Sequence, residues 1–103
     1  MGKEIFYDKN AVKELRKFSK EVQRNFQAHI EILKQKGKLN LPEAKKITKN
    51  LFEIRVVKRG AYRGFYAYIR NDFIVILHFF RKKTQRTPLK NINLAKKRLS
   101  KHE

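Results

Sequence analysis

The segment from Phe73 to Phe80 reads Phe-Ile-Val-Ile-Leu-His-Phe-Phe, apolar at odd and even positions alike. Successive side chains of a strand point to opposite faces, so this segment predicts a strand that is central or covered on both sides. It contains His78 and is too short to cross a bilayer. Whatever the fold, the rest of the chain must supply that cover.

Neighbouring strands are legible on its N-terminal side. Leu51 to Val57 alternates as a half-buried strand does, with Phe52, Ile54 and Val56 on one face. Lys58-Arg59-Gly60 predicts a turn, Tyr62 to Arg70 an aromatic-rich strand, and Asn71-Asp72 a tight hairpin. Tyr62, Tyr66 and Tyr68 share a face of that strand, which favours core packing over base stacking.

Further upstream, Ile5-Phe6-Tyr7 is a short β-prone run ended by Asp8-Lys9-Asn10. Apolar residues then recur at Val12, Leu15, Val22, Phe26, Ile30 and Leu33, at helical spacing. Ser19 breaks this series and suits an N-cap, so a short helix precedes a longer one that closes at Gly37. Lys38 to Asn50, around Pro42, reads as a polar connector with room for one helical turn. After Pro88, Ile92, Ala95 and Leu99 predict a last helix. The expected order is β-α-α-β-β-β-α, an α+β fold in one domain over residues 1–103.

Composition narrows the chemistry. The chain has no cysteine, which excludes disulfide scaffolds, thiolate zinc sites and cysteine nucleophiles. His29, His78 and His102 are too scattered for a ligand cluster, so neither a metal nor another cofactor is expected. The formal net charge is +18, and residues 81–103 carry nine basic side chains and one acidic. So one-sided a charge repels itself unless a polyanion relieves it. Nucleic acid is the first such partner, because counterion release drives Lys and Arg onto phosphates; an acidic protein is the second and an anionic membrane surface the third. The Met-Gly-Lys-Glu-Ile start lacks a long apolar segment, so a soluble cytoplasmic protein is expected.

Three further blocks occur in order: Leu51-Phe52-Glu53-Ile54-Arg55, then Tyr62-Arg63-Gly64-Phe65-Tyr66, then Leu77-His78-Phe79-Phe80-Arg81-Lys82-Lys83 running on to Thr87-Pro88. Together they resemble the phage-derived, HigB-like branch of the RelE/ParE toxin superfamily. That branch reads Leu-aromatic-Glu-Leu-Arg, Tyr-Arg-x-x-Tyr and Leu-His-x-Phe-x-Lys-Lys. The resemblance implies a small, mostly antiparallel sheet packed on two N-terminal helices, and a type II toxin held in check by an acidic or helix-turn-helix antitoxin. It implies a ribosome-dependent mRNA endonuclease, with ribosome and messenger as partners. The alternatives are a ParE-like inhibitor of DNA gyrase and a non-catalytic RNA-binding module. Three positions depart from the pattern. Gly64 replaces an aliphatic residue and is expected to weaken strand packing, Arg81 replaces an uncharged residue, and Asn91 replaces a frequent Glu.

Metal-free RNA cleavage needs the ribose 2′-hydroxyl deprotonated, the phosphorane charge stabilised and the 5′-oxygen protonated. Alternation puts Glu53 with Arg55, and His78 with Phe80 and Lys82, on common faces. Arg63 is assigned to the transition state, since a rigid guanidinium fork suits a phosphorane, with Arg55 in support. Its structural alternative is an arginine paired with an acid such as Glu53. His78 is the proton-transfer candidate, because histidine ordinarily titrates near about 6.5. Its alternative is a half-buried strand histidine. Lys82 and Lys83 are candidates for charge stabilisation or proton donation, and Gln85 for orienting a base or phosphate. Lys58, Arg59, Arg81, Arg86, Lys96, Lys97 and Arg98 are expected against RNA backbone. The tyrosine that some relatives use in the C-terminal segment has no counterpart after Tyr68.

Overall fold

The computed structural model describes residues 2–40, 42, 44–70 and 72–103. β1 (Glu4–Tyr7) leads into α1 (Lys9–Arg16) and α2 (Lys20–Lys36). Then come β2 (Ala44–Thr48), β3 (Leu51–Val57), β4 (Ala61–Ile69), β5 (Phe73–Lys82) and α3 (Leu89–Ser100). The strands form one sheet in the order β1-β5-β4-β3-β2, parallel between β1 and β5 and antiparallel elsewhere. β5 is thus interior and covered on both faces, as its apolar run demands.

The helix boundaries follow local chemistry. The Asp8 carboxylate accepts from the Asn10 amide at the start of α1, and the Ser19 hydroxyl accepts from the Val22 amide at the start of α2. Gly37 closes α2 at φ 78°, a left-handed conformation that glycine adopts without a Cβ penalty. α1 and α2 cover one face of the sheet, packing Leu15, Val22, Phe26 and Leu33 on Ile54, Tyr66, Ile76 and Phe79. The tyrosine stripe belongs to this side: Tyr66 is buried, Tyr62 and Tyr68 are partly so, and the Tyr68 hydroxyl donates to the Gly37 carbonyl at 2.8 Å. α3 covers the other face through Ala95, Ile92 and Leu99, above Leu51, Phe65, Val75 and Leu77.

Two expectations need correction. The connector between α2 and β3 holds an edge strand in place of a helical turn. Ala-Lys-Lys-Ile-Thr becomes extended by pairing with β3, with Ala44 opposite Ile54 and Lys45 opposite Glu53. Gly64 does not loosen the sheet. A Cβ there would lie 2.8 Å from the Phe79 ring and 3.2 Å from the Phe26 ring, so its absence lets these rings meet edge to face at 4.9 Å. Of the predicted Asn71-Asp72 turn, Asn71 lies outside the described residues.

β1 runs beside only the first half of β5, from Phe73 to Ile76. Beyond it the strand edge is satisfied by side chains. Glu14 Oε1 accepts from the Phe79 amide at 3.1 Å, and Arg98 Nη1 donates to the Leu77 carbonyl at 2.9 Å.

Candidate active site

The α3-facing side of the sheet changes character toward the C-terminal end of β5. Arg55 stands opposite Arg63, Arg63 opposite Phe80, and Ala61 opposite Lys82. The faces expected to carry Arg55 and Lys82 therefore coincide. Two arginines directly across an antiparallel pair repel each other. Glu53, two residues from Arg55 on the same face, resolves the conflict. Its Oε1 accepts from Arg55 Nε at 3.1 Å and lies 3.5 Å from Arg63 Nε, and its Oε2 accepts from the Thr87 hydroxyl at 3.3 Å.

Glu53 is 1% exposed and Arg63 8%. Arg63 Nη1 donates to the Tyr62 carbonyl, while its Nε is buried without a hydrogen bond. Burial and the Arg55 charge lower the Arg63 pKa, with Glu53 opposing them, and the guanidinium stays charged.

In front of this core lies a cleft of about 300 Å³. Glu53, Arg55 and Lys82 line it from the central strands, Lys45, Lys46 and Ile47 from β2, and Gln85, Arg86 and Thr87 from the following loop. Burial and the neighbouring Arg63 charge push the Lys82 ammonium below the ordinary lysine range. Arg55 and Lys45 act in the same direction and Glu53 against it. A lowered ammonium pKa makes Lys82 a better proton donor near neutrality. A larger groove on the other side of β2, about 540 Å³, is bordered by Leu39, Ala44 and Phe52, and among the described residues its only acid–base groups are Lys45 and Lys46.

The other sequence candidates lie elsewhere. His78 is 6% exposed and stacks on Phe80 at 5.1 Å, on the far side of that ring from Lys82. Lys82 is four positions along the strand from His78, about 13 Å. Its Nδ1 lies 2.9 Å from Glu14 Oε1, and its Nε2 is buried without a partner. Arg98, expected on an RNA-facing surface, turns inward instead, its side chain 11% exposed. It makes two hydrogen bonds to Glu14, each 3.0 Å, and its Nε lies 4.0 Å from Asp8. His102, assigned no role from sequence, has Nε2 3.1 Å from the other Asp8 oxygen. Burial opposes ionisation of Glu14, but hydrogen bonds from His78, Arg98 and the Phe79 amide outweigh it and hold its pKa down at about 2. Arg81 is on the helix-facing side, its guanidinium 5.7 Å above the Tyr62 ring. Lys58, Arg59 and Lys83 are exposed, as are Lys96 and Lys97 on α3.

Sequence reasoning missed Lys45, Lys46 and Thr87, because β2 was not recognisable and the Thr87 contact spans 34 residues. Among the described residues no group of His, Asp or Glu is arranged to hold a metal ion, and no helix is long and apolar enough to cross a membrane.

The model of the phage-derived Gp49-like protein family matches residues 13–100. No curated protein sequence matches the chain. Among solved structures, a double mutant of the E. coli toxin RelE in the free state is 16% identical, with a TM-score of 0.74 over 96% of this chain and 99% of that one. RelE in the RelB–RelE antitoxin–toxin complex of Methanococcus jannaschii is 25% identical, with a TM-score of 0.62 over 76% and 91%. The archaeal RelE–RelB complex from Pyrococcus horikoshii gives 24%, 0.59, 81% and 98%. The β5 core, the helix pair and the α3 cover are thus those of the RelE fold, and the chain belongs to the phage-derived Gp49-like family.

Proposed function

We propose that this protein is the toxin of a type II toxin–antitoxin pair, of the HigB-like branch, and that it cuts messenger RNA on the ribosome without a metal. The observation that carries the reading is the cleft lined by Arg55, Lys82 and the buried acid Glu53, with Arg63 enclosed beside that acid. A cationic cleft suits the phosphorane charge of 2′-hydroxyl attack, and a lysine of lowered pKa suits protonation of the leaving 5′ oxygen. The likeness to RelE in complexes with RelB supports an antitoxin partner, whose acidic side chains would meet this basic surface in the cytoplasm.

In this mechanism Arg55 presents its guanidinium to a non-bridging phosphate oxygen from the cleft wall, and Arg63 adds charge from behind Glu53. The 2′ oxygen bonds to phosphorus as its proton leaves to solvent, and the bond to the 5′ oxygen breaks. Lys82 gives that leaving oxygen a proton. Gln85 and Arg86 hold the flanking backbone. His78 takes no direct part, since its ring is enclosed beyond Phe80. The exposed Lys58, Arg59 and Lys83 contact ribosomal or messenger phosphates.

Primer extension on a reporter mRNA in a purified translation system tests this. Wild type should give discrete cuts only with ribosomes present, and Arg63→Ala none. Intact mRNA in the presence of active growth arrest would overturn the nuclease reading and turn attention to gyrase.

A further inference from the structure

A carboxylate at the centre of a site that binds phosphate needs an explanation, because its charge opposes the ligand. Glu53 is also the most enclosed charged side chain of the cleft, at 1% exposure. Both its oxygens are engaged, one by Arg55 and Arg63 and the other by Thr87. A general base must reach the proton it removes, and this carboxylate has neither a free oxygen nor access to one. Arg55 and Arg63 are cross-strand neighbours whose like charges would drive the two side chains apart. Thr87 belongs to the loop that also carries Gln85 and Arg86 over the cleft.

We infer that Glu53 is a positioning residue, which fixes the directions of the Arg55 and Arg63 guanidinium groups and ties the 83–88 loop to the sheet before RNA enters. Its influence on activity rests on the function proposed above; its influence on the arginines does not. With the arginines held from below, reorganisation does not have to occur at the moment of reaction. The arrangement has a consequence that a purely structural acid would not have. Removing the charge takes away repulsion toward phosphate while releasing the geometry, so RNA affinity and turnover should move in opposite directions.

Glu53→Gln keeps the shape and the Thr87 contact and removes the charge. Short-RNA binding should be unchanged or a few-fold tighter, while ribosome-dependent cleavage falls on the order of a hundredfold. The groups facing Lys82 are Arg63 from β4, Glu53 and Arg55 from β3, and Lys45 from β2. Loss of the one anion among them should move the Lys82 limb of the pH–rate profile to lower pH. The Nε–H signals of Arg55 and Arg63 in nitrogen-15 spectra should shift and broaden.

Cleavage within threefold of wild type would overturn the inference, as would losses of rate and affinity in proportion to a loss of thermal stability. If wild type itself leaves mRNA intact, the proposed function fails, and arginine signals unmoved by Glu53→Gln would separately overturn the positioning role. Where the glutamine variant does not fold, Glu53→Asp keeps the charge but withdraws the carboxylate by one methylene, and the same arginine signals decide the outcome.

Discussion

On the α3-facing side of the sheet one acid, Glu53, faces Arg55, Arg63 and Lys82, whereas at the open edge of β5 two acids, Asp8 and Glu14, meet Arg98, His78 and His102. Both clusters pair glutamate with arginine, and both sit against β-strand scaffolding. They differ in balance and in access. At the β5 edge each carboxylate has an arginine and a histidine partner, and Glu14 also takes a backbone amide that the sheet leaves unpaired. That cluster ties α1 and α3 to β5 and finishes the strand edge. At Glu53 the cations outnumber the acid, and the excess opens onto a cleft. Ion pairing in balance works as a fastener, and in excess it leaves charge for a ligand.

The contrast breaks most sharply at Arg63. Arg63→Ala removes a buried donor of the kind whose loss lowers turnover by about 10²–10³-fold. The β5-edge cluster should be untouched, so the cleavage assay should show the loss while the circular dichroism spectrum stays native. Retention of more than a tenth of wild-type cleavage would dissolve the distinction between the two clusters.

Arg98 is the converse case. Arg98→Met leaves Glu14 and Asp8 without their guanidinium and the Leu77 carbonyl without a donor. Breaking a fully buried pair from one side costs about 3–5 kcal/mol, and this partly exposed pair should fall below that range. Urea unfolding should show that loss, with cleavage per folded molecule unchanged. The same cluster sets an acid limit. Glu14 has a folded pKa of about 2 against an ordinary 4.5. Its contribution is therefore complete above 4.5 and is lost as pH falls from there toward 2. Asp8, where burial is outweighed by hydrogen bonds from His102 and the Asn10 amide, is also lowered and acts in the same sense. Stability measured across that window should fall in wild type and fall less steeply in Glu14→Gln.

Gly64 supplies a control on the face of the sheet packed against α1 and α2, where its neighbours are apolar rings. Gly64→Ala forces a methyl against the Phe79 and Phe26 rings, and overpacking of this kind costs about 1–3 kcal/mol. The melting temperature should drop without any change in the pH window or in RNA affinity. A neutral result would mean that the rings retreat freely.

How much of this was readable in advance depends on whether the determining contact is local. β3, β4 and β5 follow from alternation and from one run apolar on both faces, and Ser19 and Gly37 mark the helix ends by their own chemistry. β2 is different. Its five residues, two of them lysines, carry no strand period, and only pairing with β3 makes them extended. The site divides in the same way. Glu53 and Arg55 share a face by period alone, but Arg63 joins them only through strand register. His78 shares that face as well, yet α1 and α3 bring Glu14 and Arg98 to it across 64 and 20 residues of chain. No short-range pattern carries that information. A histidine enclosed beside a distant acid looks, in one dimension, the same as one that faces a cleft.

The smallest effect belongs to Lys45, and it tests whether excess charge alone defines the cleft. Lys45 is exposed on the edge strand opposite Glu53, and it lines the cleft without touching the acid's oxygens. Exposed lysines of this kind meet phosphate as mobile point charges, which adds affinity but no geometry. Lys45→Ala should therefore weaken RNA binding a few-fold and reduce the slope of log affinity against log salt by about one. The saturating cleavage rate should hold near wild type, because the guanidinium groups and Lys82 remain in place. A fall in that rate matching the Arg63→Ala variant would mean that the cleft acts through its summed field, and the fixed geometry around Glu53 would lose its special place.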